Sequence, residues 1–488
     1  MSAAETTPVL VGVGTFNQRI EDPTVALEPI ELMQRALTRA GEDAEAPGLL
    51  SQADSIWVPR GFWNYPDPGR WLAESLGASG VRTHVSEIGV LQSTLLGRAA
   101  CEIASGSSRI VLITGGEAKY RSLRASITGT EATFMSLPEI PADETLRPEN
   151  DVLHPLEIKR GAVLPVRQYA MIENALRAEE GLSLADHRDE VARLWSAMSE
   201  VAARNPNAWD QNAVSADLIR NPSERNPMLA FPYTKFHNSQ WNVDQAAGLI
   251  LCSAQTAQRA GVPESKWIYP WVNTESNHMV NFTERAHPDK CPGFAIAGHK
   301  AFEYIESDPS QVAHREIYSC FPSAVRMQLR ELGIDPNQQL TETGGMRFAG
   351  GPLNNFVLQA TVRMAQTLRQ NPGQLGLVTA VSGVLTKQGV MVYSAESPNH
   401  PFSHQDVTSE VERISPKVPL TEGLQGEAEV VAYTVTYKEE QPDQAILLCQ
   451  NDAGERTLAL SSNRDLMEAM TQEEFCGRVV QVAGSDVP

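Results

Sequence analysis

Residues 89–117 read Gly89-Val-Leu-Gln-Ser-Thr-Leu-Leu-Gly-Arg-Ala-Ala-Cys-Glu-Ile-Ala-Ser-Gly-Ser-Ser-Arg-Ile-Val-Leu-Ile-Thr-Gly-Gly-Glu117. Gln92 to Ala104 reads as a helix, and Arg109 to Thr114 as an apolar strand closed by Gly115-Gly116. The same rhythm extends outward. Upstream, Pro8 to Gly14 reads as a buried strand, Ile30 to Ala40 as a helix and Ala53 to Val58 as a second strand. Downstream, Trp267–Val272, Arg315–Cys320, Leu375–Ala380 and Val390–Tyr393 read as strands. Between them, Gly298–Glu306, Ser323–Leu332 and Asn354–Arg369 read as helices. Gln245–Ala260, which opens in Ala246-Ala-Gly248, also reads as a helix. Strands alternating with helices argue for a layered α/β sheet. The two halves share an element order, but not enough residues to establish a repeat.

Two stretches break the rhythm. From about residue 118 to 228 the chain lacks apolar strand runs and is rich in Arg, Glu and Pro. Gln168–Ala178 and Ser183–Ala203 read as amphipathic helices there, the second opened by a capping-box-like Ser183-Leu-Ala-Asp186. This stretch reads as a helical insertion between strands of the first sheet. From Thr408 onward short alternating or β-branched runs take over: Glu427–Tyr437, Gln444–Gln450, Arg456–Ser461 and Arg478–Val482, with a hairpin-type turn at Asn451–Gly454 and a helix at Arg464–Glu474. They read as a small all-β, barrel-like domain over 420–488, after a linker from Asn399 to Glu422 punctuated by Pro401, Pro416 and Pro419.

Composition narrows the function classes. The 488 residues carry 60 acidic against 40 basic side chains, a formal net charge of −20. A surface that negative repels phosphate backbones and anionic membranes, which argues against nucleic acid as a partner. No apolar stretch approaches the roughly 18 residues of a membrane span. The start, Met1-Ser-Ala-Ala-Glu-Thr-Thr7, does not read as a secretory signal, and the six cysteines form no C-x-x-C pair. The expectation is a reduced, soluble, cytoplasmic protein.

Generic motifs yield no active site. Gly12-Val-Gly14 is followed by Asn17 where a dinucleotide loop needs its third glycine, so a strand-ending turn is the better account. His400 and His404 stand four apart with Pro401 between them and no glutamate beside His400, which argues against a metal site. Cys101 reads as a small core residue, and no G-x-S-x-G elbow is present.

Five ordered strings nevertheless resemble the thiolase superfamily over about residues 5–400. Gly89–Ala100 with Ser105–Glu117 looks like the nucleophile helix and the strand after it. Phe231-Pro-Tyr-Thr-Lys235 with Asn242-Val-Asp-Gln-Ala-Ala247 looks like the "DGAAA" segment. Glu316-Ile-Tyr-Ser-Cys-Phe321 looks like the "NEAF" or "HDCF" block, and Gly344–Pro352 like "GGAIAxGHP". The resemblance implies two stacked βαβαβαββ halves, layered α/β/α/β/α, with a helical loop domain in the first. It places the N-terminal half at 1–273, with the loop domain at about 118–228, and the C-terminal half at 274–405. The sterol-carrier-type branch often adds a C-terminal domain, and the tail here carries too many strands for the usual lipid-binding one.

The resemblance also says where chemistry should lie. A thiolase carries its acyl group on a helix-terminal cysteine thiolate, activated by a histidine. The matching positions here are Gly89 for that cysteine, Gly351 for the histidine, Tyr318 for the oxyanion-hole residue and a point near Val381 for the acid/base cysteine. The implied function is an acyl-CoA-handling protein of lipid or sterol metabolism, of the acetyl-CoA acetyltransferase family, that does not carry out thiolysis. Two alternatives stand beside it: a retro-aldol lyase on a β-hydroxyacyl-CoA using Tyr318, and a non-catalytic acyl-CoA binder or scaffold. Tyr318 and Cys320 are the candidate catalytic residues. Gly89, Gly350, Gly351, Asn354, Asn355, Ser382 and Gly383 are the candidate substrate-binding residues. The pocket they form should be wider than a thiolase's, because glycines stand at motif positions. Asn354 and Asn355 read as a helix cap or pocket lining, and Lys387 as a solvated turn residue or a phosphate contact. No metal or resident cofactor is expected, and a coenzyme A ester is the expected ligand. Thiolases dimerise through the strand before the nucleophile helix, which implies a homodimer. The polar Arg82, His84 and Glu87 on that strand leave a monomer open, and related lyases work with a small β-barrel partner.

Overall fold

The computed structural model describes residues 5–484, 486 and 487; residues 1–4, 485 and 488, which the sequence-based boundaries include in the first and last domains, lie outside the described residues. Two mixed α/β sheets sandwich two helices, Gln92–Ala104 and Phe356–Gln370. The first sheet begins with Pro8–Gln18, Asp244–Ser253 and Ile110–Ala118, side by side and antiparallel, and continues in parallel through Ser55–Pro59, Arg82–Ser86 and Glu144–Leu146. Helix Pro29–Asp43 covers its outer face.

The second sheet repeats that order from later sequence. Tyr269–Ser276 lies beside Lys387–Ser394, then Leu375–Ser382, then Val312–Glu316. The sequence-based boundary at residue 273 falls inside Tyr269–Ser276, a strand wholly of the second sheet. The fifth strand, Ser403–Asp406, comes from the stretch read as a linker and pairs in parallel with Tyr269–Ser276.

The clearest departure from the sequence reading is Gln245–Ala260. It is not one helix: Asp244–Ser253 is a fully buried strand between Pro8–Gln18 and Ile110–Ala118, and only Ala254–Arg259 is helical. Alanine has high helical propensity, but helix Pro29–Asp43 lies so close that a Cβ on Gly248 would stand 2.7 Å from the backbone of Ala36 and Leu37. Burial on both faces overrides the local preference. The same approach explains Gly12 and Gly14, which do not end a strand. They lie inside Pro8–Gln18, where a side chain would strike the backbone of Ala36 and Ala40. Likewise Gly115-Gly116 do not close their strand, which runs on to Ala118. Cys101 is exposed, on the outward side of its helix.

The insertion carries helices Pro165–Glu179 and Leu184–Arg204, the second capped as read, with Ser183 Oγ accepting from the Asp186 N–H at 3.1 Å. Its last part, Met228–Ala230 and Tyr233–Thr234, adds two short strands to the tail sheet of Gln425–Lys438, Gln441–Gln450, Arg456–Ser461 and Val479–Ala483. The tail sheet is therefore not confined to 420–488. It curls back on itself, since Val479–Ala483 pairs with Gln425–Lys438 and the Val487 N–H reaches the Leu460 carbonyl at 2.8 Å. No helix among the described residues is long and apolar enough to cross a membrane.

Candidate functional site

The starts of the two central helices meet. The Val357 N–H, in the first turn of one, donates to Oε1 of Gln92, the first residue of the other, at 2.8 Å. Beside them begins helix Pro322–Leu332, and the connector before it carries Tyr318 and Cys320. The strand read through Cys320 stops at Glu316, so both residues lie in irregular backbone. That backbone is pinned: the Tyr318 N–H donates to Thr379 Oγ1 and its carbonyl accepts from Gln328 Nε2, each at 2.8 Å. The Tyr318 ring stands edge-on to Phe356 with centroids 5.9 Å apart.

The other candidates gather around these two through named bridges. Ser239 Oγ donates to the Cys320 carbonyl at 2.9 Å, and Ser239 also packs at Gly351. Tyr169, from the insertion, stacks on Phe321 with centroids 4.5 Å apart and donates to the Gly383 carbonyl at 3.5 Å. Lys387 pairs with Ser382 across the hairpin, and its Nζ donates to the Gly89 carbonyl at 2.8 Å. Asn354 Nδ2 reaches the Arg60 carbonyl at 3.2 Å. Asn355 is 1% exposed and makes no side-chain cap; both its Nδ2 and Oδ1 lack a partner.

Two expectations are corrected here. The glycines do not widen a pocket, because neighbours occupy the space. A side chain on Gly89 would meet Pro148 at 3.0 Å and Val152 at 3.3 Å, and one on Gly351 would meet Ser239 at 3.2 Å and Met346 at 3.4 Å. Gly350 is filled by the Gln245 side chain, and Gly383 by Thr386 and by Met279 at 3.3 Å. Lys387 is not a solvated turn residue: it starts the strand Lys387–Ser394 and is 3% exposed. Tyr169, Ser239 and Gln245 were not singled out by the sequence. Gln245 sits inside a string that was, while Tyr169 belongs to an insertion helix with no motif to mark it.

The electrostatics of the site are those of neutral groups. Burial pushes the Cys320 thiol up to about 12, and raises the phenols of Tyr318 and Tyr169. Neither candidate is a nucleophile at neutral pH: the thiol is protonated and the phenols can only donate or accept hydrogen bonds. Burial lowers Lys387, with Glu149 and Glu275 opposing. The motif positions themselves hold Gly89, Tyr318, Gly351 and Val381, which supply no thiolate and no imidazole.

Residues 406–486 match the family model described as "Thiolase-like protein type 1 additional C-terminal domain". Over 98% of this chain and 97% of the other, the fold superposes on a monomeric SCP2-thiolase-like protein type 1 from Mycobacterium smegmatis, with a TM-score of 0.81 and 26% identity. The chain has the thiolase-like fold and, at its end, the additional domain of type 1. The chain is also 26% identical over 265 residues to an acetyl-CoA acetyltransferase of Methanocaldococcus jannaschii, matching 54% of its own length and spanning 60% of that enzyme's. Its fold is shared with an Ltp2–ChsH2(DUF35) aldolase, at 17% identity over 81% of this chain and 99% of that one, with a TM-score of 0.62.

Proposed function

We propose that this thiolase-like protein handles acyl-CoA esters of lipid or sterol metabolism without carrying out thiolysis. The observation that carries the reading is the replacement of the thiolate, its activating imidazole and the second thiol by Gly89, Gly351 and Val381, while the one nearby thiol, Cys320, is held protonated. Nucleophilic catalysis through an acyl-enzyme needs an activated nucleophile. The similarity to an acetyl-CoA acetyltransferase and the meeting of helix N-termini, whose positive partial charge suits a thioester oxygen, support retention of the ester. The test is calorimetric titration with butanoyl-CoA and with free CoA. Saturable binding of the ester, weakened when Gly351→Val displaces Ser239 and Met346, is expected; no binding of either would overturn the reading.

A second reading is favoured by Tyr318, a buried neutral phenol at a motif position, and by the fold shared with an aldolase. In a retro-aldol cleavage of a β-hydroxyacyl-CoA, a phenol can donate a hydrogen bond to the oxygen on which charge develops. Tyr318→Phe is then expected to abolish cleavage while leaving ester affinity nearly unchanged; intact cleavage in the variant would return Tyr318 to a packing role.

A further inference from the structure

Lys387 is a buried cation without a counter-ion. Its side chain is packed at 3% exposure, its Nζ donates to the Gly89 carbonyl at 2.8 Å, and no carboxylate among the described residues stands within 4.0 Å of it. A buried ammonium without a carboxylate is costly, and a charge in that state sheds its proton rather than remain unpaired. The location sharpens the problem. Gly89 leads into helix Gln92–Ala104, whose N-terminal end carries positive partial charge, the wrong sign for an ammonium neighbour. Lys387 also stands across the hairpin from Ser382 and bonds the residue at the thiolase nucleophile position, so its nitrogen is inside the candidate site.

From this placement we infer that Lys387 is a nucleophilic amine that forms an imine with the keto group of a β-oxoacyl thioester. The inference rests on the acyl-CoA reading above and narrows its substrate class. The Nζ lone pair bonds to the β-carbon. The ketone oxygen departs as water with the two hydrogens of the amine, and a C=N bond replaces the C=O bond. No oxidant, metal or further reactant is required. Desolvation lowers the affinity of Lys387 for its proton and so raises the fraction present as free amine. Glu275 lies on a neighbouring strand of the same sheet, held by Thr94 Oγ1 at 2.9 Å, and its field opposes that shift without an ion pair.

Access comes from the side of the insertion. Pro148 and Val152 cover Gly89, and the segment 147–153 that carries them has one hydrogen bond to the body among those of the described residues, Asn281 Nδ2 to the Asp151 carbonyl at 3.4 Å. A displacement of this short segment would uncover Gly89, whose carbonyl holds the Lys387 Nζ.

The experiment is borohydride trapping on the full chain. The protein is incubated with acetoacetyl-CoA, reduced with sodium borohydride, digested and mapped by mass spectrometry; butanoyl-CoA, which has no keto group, is the parallel arm. The expected result is a reduced adduct of acetoacetyl-CoA on Lys387, absent with butanoyl-CoA and absent in Lys387→Met, which keeps the length of the side chain and removes the nucleophile. The wild-type mapping alone decides the matter if the variant does not fold. Binding of butanoyl-CoA with no adduct on Lys387 would overturn the imine and leave the acyl-CoA reading standing. Adducts spread over surface lysines and not on Lys387 would overturn it equally. Failure of both esters to bind would overturn the two readings together.

Discussion

Arg177 donates through Nη2 to Glu474 Oε2 at 2.7 Å, joining a helix of the insertion to the end of the tail. The guanidinium is fully buried and also bonds Asn174 Oδ1 at 2.8 Å and the Tyr433 hydroxyl at 3.1 Å. Asn174 in turn donates to the Tyr433 carbonyl at 2.8 Å and the Phe231 carbonyl at 3.1 Å. Insertion and tail are thus one packed body, closed by strands from both.

Arg177→Met should therefore loosen the tail as well as the insertion. It leaves Asn174 Oδ1 and the Tyr433 hydroxyl without their cationic donor, while Glu474, 40% exposed on its side chain, recovers water. The expected loss is about 2–4 kcal/mol in urea denaturation, with faster proteolysis beyond residue 420. Unchanged stability would show that the two pieces do not depend on this contact.

Acid should destabilise the junction of insertion and core. His237 is buried, its Nδ1 accepts from the Thr234 N–H at 3.0 Å, and its Nε2 has no partner. Burial depresses its folded pKa to about 3, with His187 and Arg188 lowering it further and Glu173 opposing. The unfolded chain binds a proton near pH 6.5 that the folded chain refuses, so the imidazole's contribution is complete above pH 6.5 and is lost as pH falls toward 3. Relative to His237→Gln, the wild type should lose about 1.4 kcal/mol per pH unit below pH 6.5. Parallel stability curves for the two proteins between pH 7.5 and 5.5 would contradict this.

The edge through which thiolases pair is occupied within the chain. Arg82–Ser86 has Ser55–Pro59 on one side and Glu144–Leu146 on the other, with His84 opposite Glu144 and Ser86 opposite Leu146. A strand paired on both sides offers no ladder to a second copy. Light scattering at micromolar concentration should give the mass of one 53.3 kDa chain; a mass twice that would require a different interface or displacement of Glu144–Leu146.

The layered core was legible because its strands and helices alternate in long, strongly apolar runs, with Gln92–Ala104 read to the residue. What sequence missed depends on partners far along the chain. Asp244–Ser253 carries Ala-Ala-Gly, and only the helix pressed against Gly248 makes it a strand. Ser403–Asp406 is short and polar, and belongs to a sheet only because Tyr269–Ser276 leaves an edge for it. At the site, the motif positions were readable and their consequence was not: a glycine says that a side chain is missing, but not that Pro148 or Gln245 fills the space. Lys387 looks like any lysine near a turn until its nitrogen is found against Gly89.

On the proposed function, an acyl-CoA site persists where thiolase chemistry has gone. The most direct test is the thiolysis of acetoacetyl-CoA by free CoA, followed as loss of the β-oxo thioester and gain of acetyl-CoA, with protein shown to be saturated by ester. The expected rate is indistinguishable from that of the uncatalysed reaction, because no thiolate is available at Gly89, Val381 or Cys320. Turnover well above background, abolished by changing one residue of the site, would contradict it.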